Sequence, residues 1–344
     1  MPTERREPSP TQRDDIYYRF LAGAAATRLL QSVVDLNLPQ LLASKGALAA
    51  DEIITALALQ PKRGSKWLLE LRHVGLLEEL SDASSSPVKY RAGPLMRALF
   101  YADGRMEFFY QDFLRISLNA QALDLVQVLR GLPVPQIPYP PQTLAEAHAL
   151  ERWMRDTARE TIATIEQAIT FEGIQRLLDV AGGDGTMAIH FARRYPQLHV
   201  TVFNLPNSAY IARQNVVRAG AGERVSIVEG DFRHDPLPQG YDLVQFSRVL
   251  ADWPEDVCRM LLDKAQHALV PGGRLLICEP LADDNPDLTV AWEYKYLHYD
   301  DFGVELYKPL ATYERLLSQA GFHILKVNRK TPDTIHAVIV AQRQ

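Results

Sequence analysis

The run Arg176-Leu177-Leu178-Asp179-Val180-Ala181-Gly182-Gly183-Asp184-Gly185-Thr186 limits more than any other stretch what this chain can fold into. An apolar segment of strand length meets a glycine cluster, and a helical pattern begins directly behind it. Glycines at such a junction let the backbone turn tightly and approach a ligand with no Cβ in the way. The residues downstream repeat the same alternation. Apolar strand-like runs (HVTVFNL, VSIVEGD, YDLVQFSRVL, RLLICEP) are interleaved with helical ones (MAIHFARRYP, NSAYIARQNVVRAG, DVCRMLLDKAQHAL, TYERLLSQAGF). Continuous apolar strands between helices predict an α/β, Rossmann-like, mostly parallel sheet covered on both faces. The last two runs, HILKVNRK and IHAVIVAQR, are joined by the short turn TPDT, which predicts an antiparallel hairpin at the end of the sheet.

The first half of the chain is different. Residues 1–15 are polar and charged with no apolar run behind them, which predicts a disordered tail and no targeting signal. From residue 16 to about 105 apolar residues recur at helical spacings. LNLPQLLASKG breaks at Pro39 and stops on Gly46, the amphipathic LAADEIITALAL follows, then KRGSKWLLELRHVGLLEEL, and SDASSSPVKYRAG supplies a polar turn and a strand. Helix, turn, helix and hairpin form a winged-helix pattern, which serves either DNA binding or a structural, dimer-forming role. Lys62, Arg63, Lys66 and Arg72 are offset by Glu70, Glu78 and Glu79, and the whole chain carries a net charge of −5. An acidic chain of this kind argues against nucleic acid and anionic membranes as partners. Residues 106–170 read as a helical linker and pocket wall. The stretch GLPVPQIPYPPQ (131–142) interrupts it as a loop, and a helix from Leu144 to Thr170 leads into a domain over 171–344.

A length of 344 residues suits two domains, each able to bury its own core. Cys258 and Cys278 are the two cysteines and read as small buried hydrophobes, not as a disulfide or a metal set. No apolar run reaches the roughly 18 residues of a membrane span, and a cytoplasmic location is expected.

Open α/β sheets bind ligands at the carboxyl ends of their strands, and polar residues gather there in this chain. Asn204 ends the second strand, where a ribose-binding side chain belongs. Asp231 and Phe232 follow the third, suited to accept from an exocyclic adenine amine and to cover a ring face. Ser247 and Arg248 end the fourth. The glycine turn alone would serve a nicotinamide dinucleotide or a phosphate equally well.

These motifs together, LLDVAGGDGT, NLP, EGDF, SRVLADWPED and LVPGGRLLICEP, resemble class I S-adenosylmethionine (SAM)-dependent methyltransferases of the caffeate O-methyltransferase-like family. The resemblance covers nearly the whole chain, including the N-terminal half that the family uses to form homodimers. It implies SAM as cofactor, held by Asp179, Gly182, Gly183, Gly185, Asn204, Leu205, Asp231, Phe232, Ser247 and Arg248. The family usually has Asp before Leu-Pro, and Asn204 departs from that. The Asn variant is similar to the bacteriochlorophyllide C-20 methyltransferase branch, and DPLPQG and RVL resemble the hydroxyneurosporene-type carotenoid methyltransferases.

Methyl transfer to a hydroxyl needs a base for its proton. The family places a His directly before Asp-Trp, where this chain has Ala251 before Asp252 and Trp253. By resemblance to the bacteriochlorophyllide branch, the replacement is His298, with a wall residue of no proton role as the alternative. Glu293 lies roughly 140° away from His298 around a helix and Asp252 on another element, so either would act by orienting a base. Phe113, Trp153, Met154, Trp292, Tyr296 and Phe302 are candidate pocket residues, and aromatic and Met side chains favour a flat apolar acceptor. With Ala at position 251 a His-Asp metal pair is broken, and no metal is expected. The expected activity is O-methylation of an aromatic or pigment-like natural product. Carbon or nitrogen methylation, or non-methylating chemistry on bound SAM, stands as the alternative.

Overall fold

The computed structural model describes residues 10–80, 88–102, 105–106, 118, 122–134, 140–297 and 305–344. It divides into two compact units, Met1–Leu125 and Val126–Gln344.

The first unit is mainly helical. Its elements are α1 (Pro10–Asp35), α2 (Leu38–Lys45), β1 (Leu48–Ala49), α3 (Ala50–Ala56), α4 (Pro61–His73), β2 (Leu77–Leu80), β3 (Lys89–Ala92), α5 (Pro94–Phe100), β4 (Tyr101–Ala102) and β5 (Arg105–Met106). Strands β1, β3 and β2 pair antiparallel in that order, so the predicted helices and hairpin are present. Val33, Leu38, Ile53, Leu68, Leu71, Met96 and Phe100 form the core. The tail expected over 1–15 is helical from Pro10 onward. Proline is tolerated in a first helical turn, whose N–H groups have no partner, and the polar residues behind it simply extend α1.

A short helix α6 (Leu125–Leu129) stands at the division, followed in the second unit by α7 (Leu144–Asp156) and α8 (Ala158–Ala168). Thr143 starts α7 with a capping box: its hydroxyl accepts from Glu146 N at 3.2 Å, and the Glu146 carboxylate accepts from Thr143 N at 3.0 Å. The helix expected to run unbroken from Leu144 to Thr170 ends at Asp156 and restarts at Ala158. The reason is tertiary. Arg248 donates to Met154 O at 2.9 Å and to Thr157 Oγ1 at 2.5 Å, taking helix-end groups that an uninterrupted helix would use itself.

The remaining elements are β6 (Arg176–Val180), α9 (Thr186–Arg194), β7 (His199–Asn204), α10 (Pro206–Arg218), β8 (Val225–Glu229), β9 (Tyr241–Ser247), α11 (Glu255–Ala268), β10 (Leu269–Glu279), α12 (Pro286–Tyr296), α13 (Leu310–Gln319), β11 (Phe322–Asn328) and β12 (Ala337–Arg343). The seven strands lie in the order β11-β12-β10-β9-β6-β7-β8. Strands β10, β9, β6, β7 and β8 are parallel, and β12 runs antiparallel between β10 and β11, as the TPDT turn predicts. Leu178, Val244, Leu275 and Ile277 pack on one face of this sheet, and Leu177, Val200, Leu243 and Leu276 on the other. Both faces are buried under helices, which is why the strands read as continuous apolar runs.

Candidate cofactor and acceptor site

The topology brings Val180, Asn204, Glu229, Ser247 and Glu279, the last residues of the parallel strands, to one edge of the sheet. Behind Val180 the chain takes the left-handed conformation at Ala181, Gly183 and Gly185 (φ 55°, 59° and 80°) before α9 begins. The turn is packed from below and above. A Cβ at Gly182 would lie 2.5 Å from Asp179 Oδ2, and one at Gly183 would lie 2.7 Å from Glu151 Oε2. Space requires the glycine at 182, and at 183 its left-handed φ does so as well. Asp184 anchors the turn to α9, accepting from Thr186 N and Oγ1 at 3.0 and 2.6 Å, and pairs with Arg155 at 3.2 Å.

Asn204 is 8% exposed, and its amide spans two backbones. Nδ2 donates to Gly183 O at 3.2 Å, and Oδ1 accepts from Leu205 N at 2.8 Å. A carboxylate there has no hydrogen to give Gly183, so the Asn that departs from the family pattern has a structural task in this chain.

Asp179 accepts from Gln245 Nε2 at 3.1 Å. Burial pushes its carboxyl up to about 7. Glu151 on α7 is 4% exposed, and burial raises its carboxyl, also to about 7, against the favourable effects of the Ser208 hydroxyl, the Asp184 N–H and Arg248. Arg248 adopts a left-handed φ of 58°, an unusual conformation for a residue with a side chain. Its guanidinium is held against the break in α7–α8 and faces the charges of Glu279, Asp179 and Glu151. Oxygen atoms of Glu151, Asp179, Gln245, Ser247 and Glu279, and the Nε of Arg248, are buried with no hydrogen-bond partner among the described residues. Native interiors rarely leave so many polar atoms unpaired in one place unless a ligand or ion completes them.

This cradle fits SAM. The glycine turn admits close approach, Arg248 offers charge for a carboxylate, and Glu151 and Asp179 offer it for ammonium and sulfonium groups. The adenine end is less open. Asp231 accepts from Arg233 N, Nε and Nη2 and from His234 Nδ1 at 2.7–3.2 Å, and Arg233 above all holds its carboxyl down at about 2. Its lone pairs are taken, so an adenine amine must displace one of these donors. Phe232 packs edge-on against Trp253 with centroids 5.6 Å apart. The His234 side chain is 75% exposed.

On the acceptor side the structure brings together Trp153 of α7 with Trp292 and Tyr296 of α12. The Trp153 and Trp292 rings lie 5.9 Å apart, and Tyr296 stacks on Trp292 at 5.9 Å with planes 20° apart. Met154 is half-buried beside Trp153 in sequence, and its carbonyl holds Arg248. Ala251 and Asp252 form a 3₁₀ turn over Leu250–Asp252 that is pinned from two sides. Glu279 Oε1 accepts from Val249 N and Leu250 N at 2.7 and 2.9 Å, and the buried Lys308 donates to Leu250 O and Ala251 O at 3.2 Å each. Burial raises the Glu279 carboxyl to about 8. Helix α11 is capped at Pro254, so Asp252 does not cap it. Tyr307 is half-buried, and its hydroxyl is pushed up by burial and by Asp252, Tyr296, Glu279 and Glu293. The hydroxyl is therefore held neutral. His298, Phe113 and Phe302 lie outside the described residues.

Sequence reasoning passed over Glu151, Glu279, Lys308 and Tyr307. Glu279 stood in plain view at the carboxyl end of a strand. The other three sit among charged or mixed residues, where nothing local marks them as buried.

Residues 142–323 match the model of the O-methyltransferase domain family. The chain is 26% identical over 341 residues to the L-tyrosine C(3)-methyltransferase of Streptomyces lavendulae, covering 94% of this chain and 91% of that one. It is 26% identical over 281 residues to the demethylspheroidene O-methyltransferase of Cereibacter sphaeroides, covering 77% and 70%. The crystal structure of the S-adenosylmethionine-dependent methyltransferase SibL in its apo form superposes with a TM-score of 0.73 at 29% identity, over 94% of this chain and 97% of that one. Among the described residues no helix is long and apolar enough to cross a membrane. With that agreement behind the cradle and its sheet, the chain belongs to the O-methyltransferase domain family and is a class I SAM-dependent methyltransferase.

Proposed function

We propose that the protein moves the methyl group of SAM to a hydroxyl of a small, flat, largely apolar natural product of aromatic or pigment-like character. The aromatic wall of Trp153, Trp292 and Tyr296 is the observation that carries this reading. Stacked and tilted rings favour a planar partner, which gains both burial and ring contact. SAM supplies the methyl group and the sulfur that leaves. The acceptor oxygen bonds to the methyl carbon as the carbon–sulfur bond breaks, and the hydroxyl proton passes to a base. We assign that base to His298, next to the described end of the α12 wall in sequence, with Glu293 and Asp252 as groups that orient it or the acceptor.

Ala251 favours a second reading. Its methyl group sits 5% exposed where the family's usual base would stand, and it can take no proton. An acceptor carbon or nitrogen that is nucleophilic without a base would need none, and the relatives include a C(3)-methyltransferase. Turnover of SAM to S-adenosylhomocysteine with a panel of phenols, enols and arylamines, followed by NMR of the product, locates the methyl. With a phenol, His298→Ala lowers kcat by about a hundredfold and removes its rise with pH. A loss of only a few-fold with an unchanged pH profile would falsify the base assignment.

The protein acts as a homodimer in the cytoplasm, without nucleic acid or membrane. Helix α1 exposes Ile16, Tyr17, Tyr18, Phe20 and Leu21, an apolar run suited to a second copy. Light scattering of the purified chain at micromolar concentration tests this, and a monomer mass refutes it.

A further inference from the structure

We infer that Glu151 recognises the positive charge of the cofactor's methionine end and that cofactor binding therefore expels a proton from this carboxyl. No motif of the sequence marks the residue, and it lies outside the strand ends that form the rest of the cradle.

Glu151 projects from α7 and is 4% exposed, with its Oε2 buried and unpartnered. That oxygen sits over the glycine turn, where a Cβ on Gly183 would come within 2.7 Å of it. The charged and polar groups facing it come from each neighbouring element: Asp184 from the turn, Ser208 from α10 and Arg248 from the end of β9. Arg155 on the same helix is committed to Asp184. Among the described residues Arg248 is the cation that faces both Glu151 and Asp179, and it faces Glu279 as well. With three buried carboxyls set against Arg248, and Lys308 facing Glu279 alone of the three, full ionisation leaves net negative charge in a dehydrated space, and the carboxyls rise accordingly. An ammonium and a sulfonium arriving against one carboxylate reverse that balance by adding net positive charge. Of these carboxyls, Glu151 has its unpaired oxygen against the glycine turn from the helical side, whereas Asp179 lies beneath the turn and Glu279 is committed to the backbone of Val249 and Leu250.

The sign follows from linkage. The Glu151 carboxyl of the free protein titrates near 7 and that of the complex lower, so binding releases a proton below about pH 7 and none well above it. Affinity rises with pH up to that point and levels off beyond it. Asp179 contributes in the same direction, so the test isolates Glu151.

Titration calorimetry of the full chain with SAM and with S-adenosylhomocysteine, in two buffers of different ionisation enthalpy at about pH 6 and about pH 8, reads the proton count directly. The wild type releases a large fraction of one proton at the lower pH and close to none at the higher. Glu151→Gln copies the neutral form and so keeps the fold. It releases fewer protons at the lower pH and binds SAM about tenfold more weakly at the higher pH, with a smaller loss for S-adenosylhomocysteine, which lacks the sulfonium charge. Ser208→Ala, which withdraws a group favouring the charged form, moves the wild-type pH profile upward. Equal proton counts in wild type and Glu151→Gln, or an equal loss of affinity for the two ligands, would overturn the inference.

Discussion

The two sides of the site are built by different physics. The cofactor side rests on backbone geometry: three consecutive strand ends, a glycine turn whose φ values only a few residues tolerate, and buried polar groups that lock one another. Asn204 ties β7 to the turn, Gln245 ties β9 to Asp179, and Arg248 ties the end of β9 to the α7–α8 break. The acceptor side rests on side-chain packing, with rings of α7 and α12 against one another and the pinned 3₁₀ turn beneath. Backbone sites on parallel strands hold position closely and resist change. Walls of side chains on helices can be altered residue by residue without disturbing the sheet. A family that keeps one cofactor and varies its acceptor is served by that division, and the relatives named above, an L-tyrosine C(3)-methyltransferase and a demethylspheroidene O-methyltransferase by name, are consistent with it.

The sharpest break in that contrast is Gly183→Val. The substitution places a branched Cβ at a φ of 59° and against Glu151 Oε2. Either the turn or the Glu151 side chain must move, and SAM affinity falls by about a hundredfold or more while the acceptor wall is untouched. Isothermal titration with S-adenosylhomocysteine measures it. A variant that binds within about threefold of wild type would mean the turn is more pliable than its packing implies. Trp292→Ala is the mirror experiment. It removes the ring between Trp153 and Tyr296, and kcat/KM for the acceptor falls about thirtyfold while cofactor affinity stays within about twofold. Equal losses in both quantities would show that wall and cradle are one mechanical unit.

The two sides also differed in how much the sequence disclosed. The strand ends proposed for the cradle were readable because they are locally marked: Asp179 to Thr186 lie in one run, Asn204 and Ser247 each close a strand that an apolar pattern announces, and Asp231 follows another by two residues. The mostly parallel sheet and its closing hairpin were readable from the alternation of apolar strands with helices and from the short TPDT turn. The interruption at Thr157 was not, because its cause is Arg248, about 90 residues away, and local periodicity carries no trace of it. Lys308 looked like an ordinary surface lysine, yet it is 1% exposed and serves two carbonyls of a distant turn. The aromatic wall proposed for the acceptor joins residues 153, 292 and 296, whose proximity depends on α12 meeting α7 across more than a hundred residues of sequence. Single aromatic residues in helices read as core, and only their stacking distinguishes them as a wall.

Asn204→Asp sets the smallest expected effect and tests the contrast most finely, because two terms oppose each other at one atom. The new carboxylate would offer a ribose hydroxyl a charge-assisted acceptor, which favours binding. It would also lose the donor to Gly183 O and set a negative oxygen 3.2 Å from that carbonyl, inside a site already crowded with carboxyls. Leu205 N can still donate to it, so the start of α10 is preserved. If the backbone of the cradle is the element that matters most, the lost tie wins, and SAM affinity falls by about threefold to tenfold with a small drop in melting temperature. Such a loss would explain why this chain carries Asn before Leu-Pro. A gain in affinity would place the weight on the ribose contact instead, and the tie between β7 and the glycine turn would then be incidental to binding.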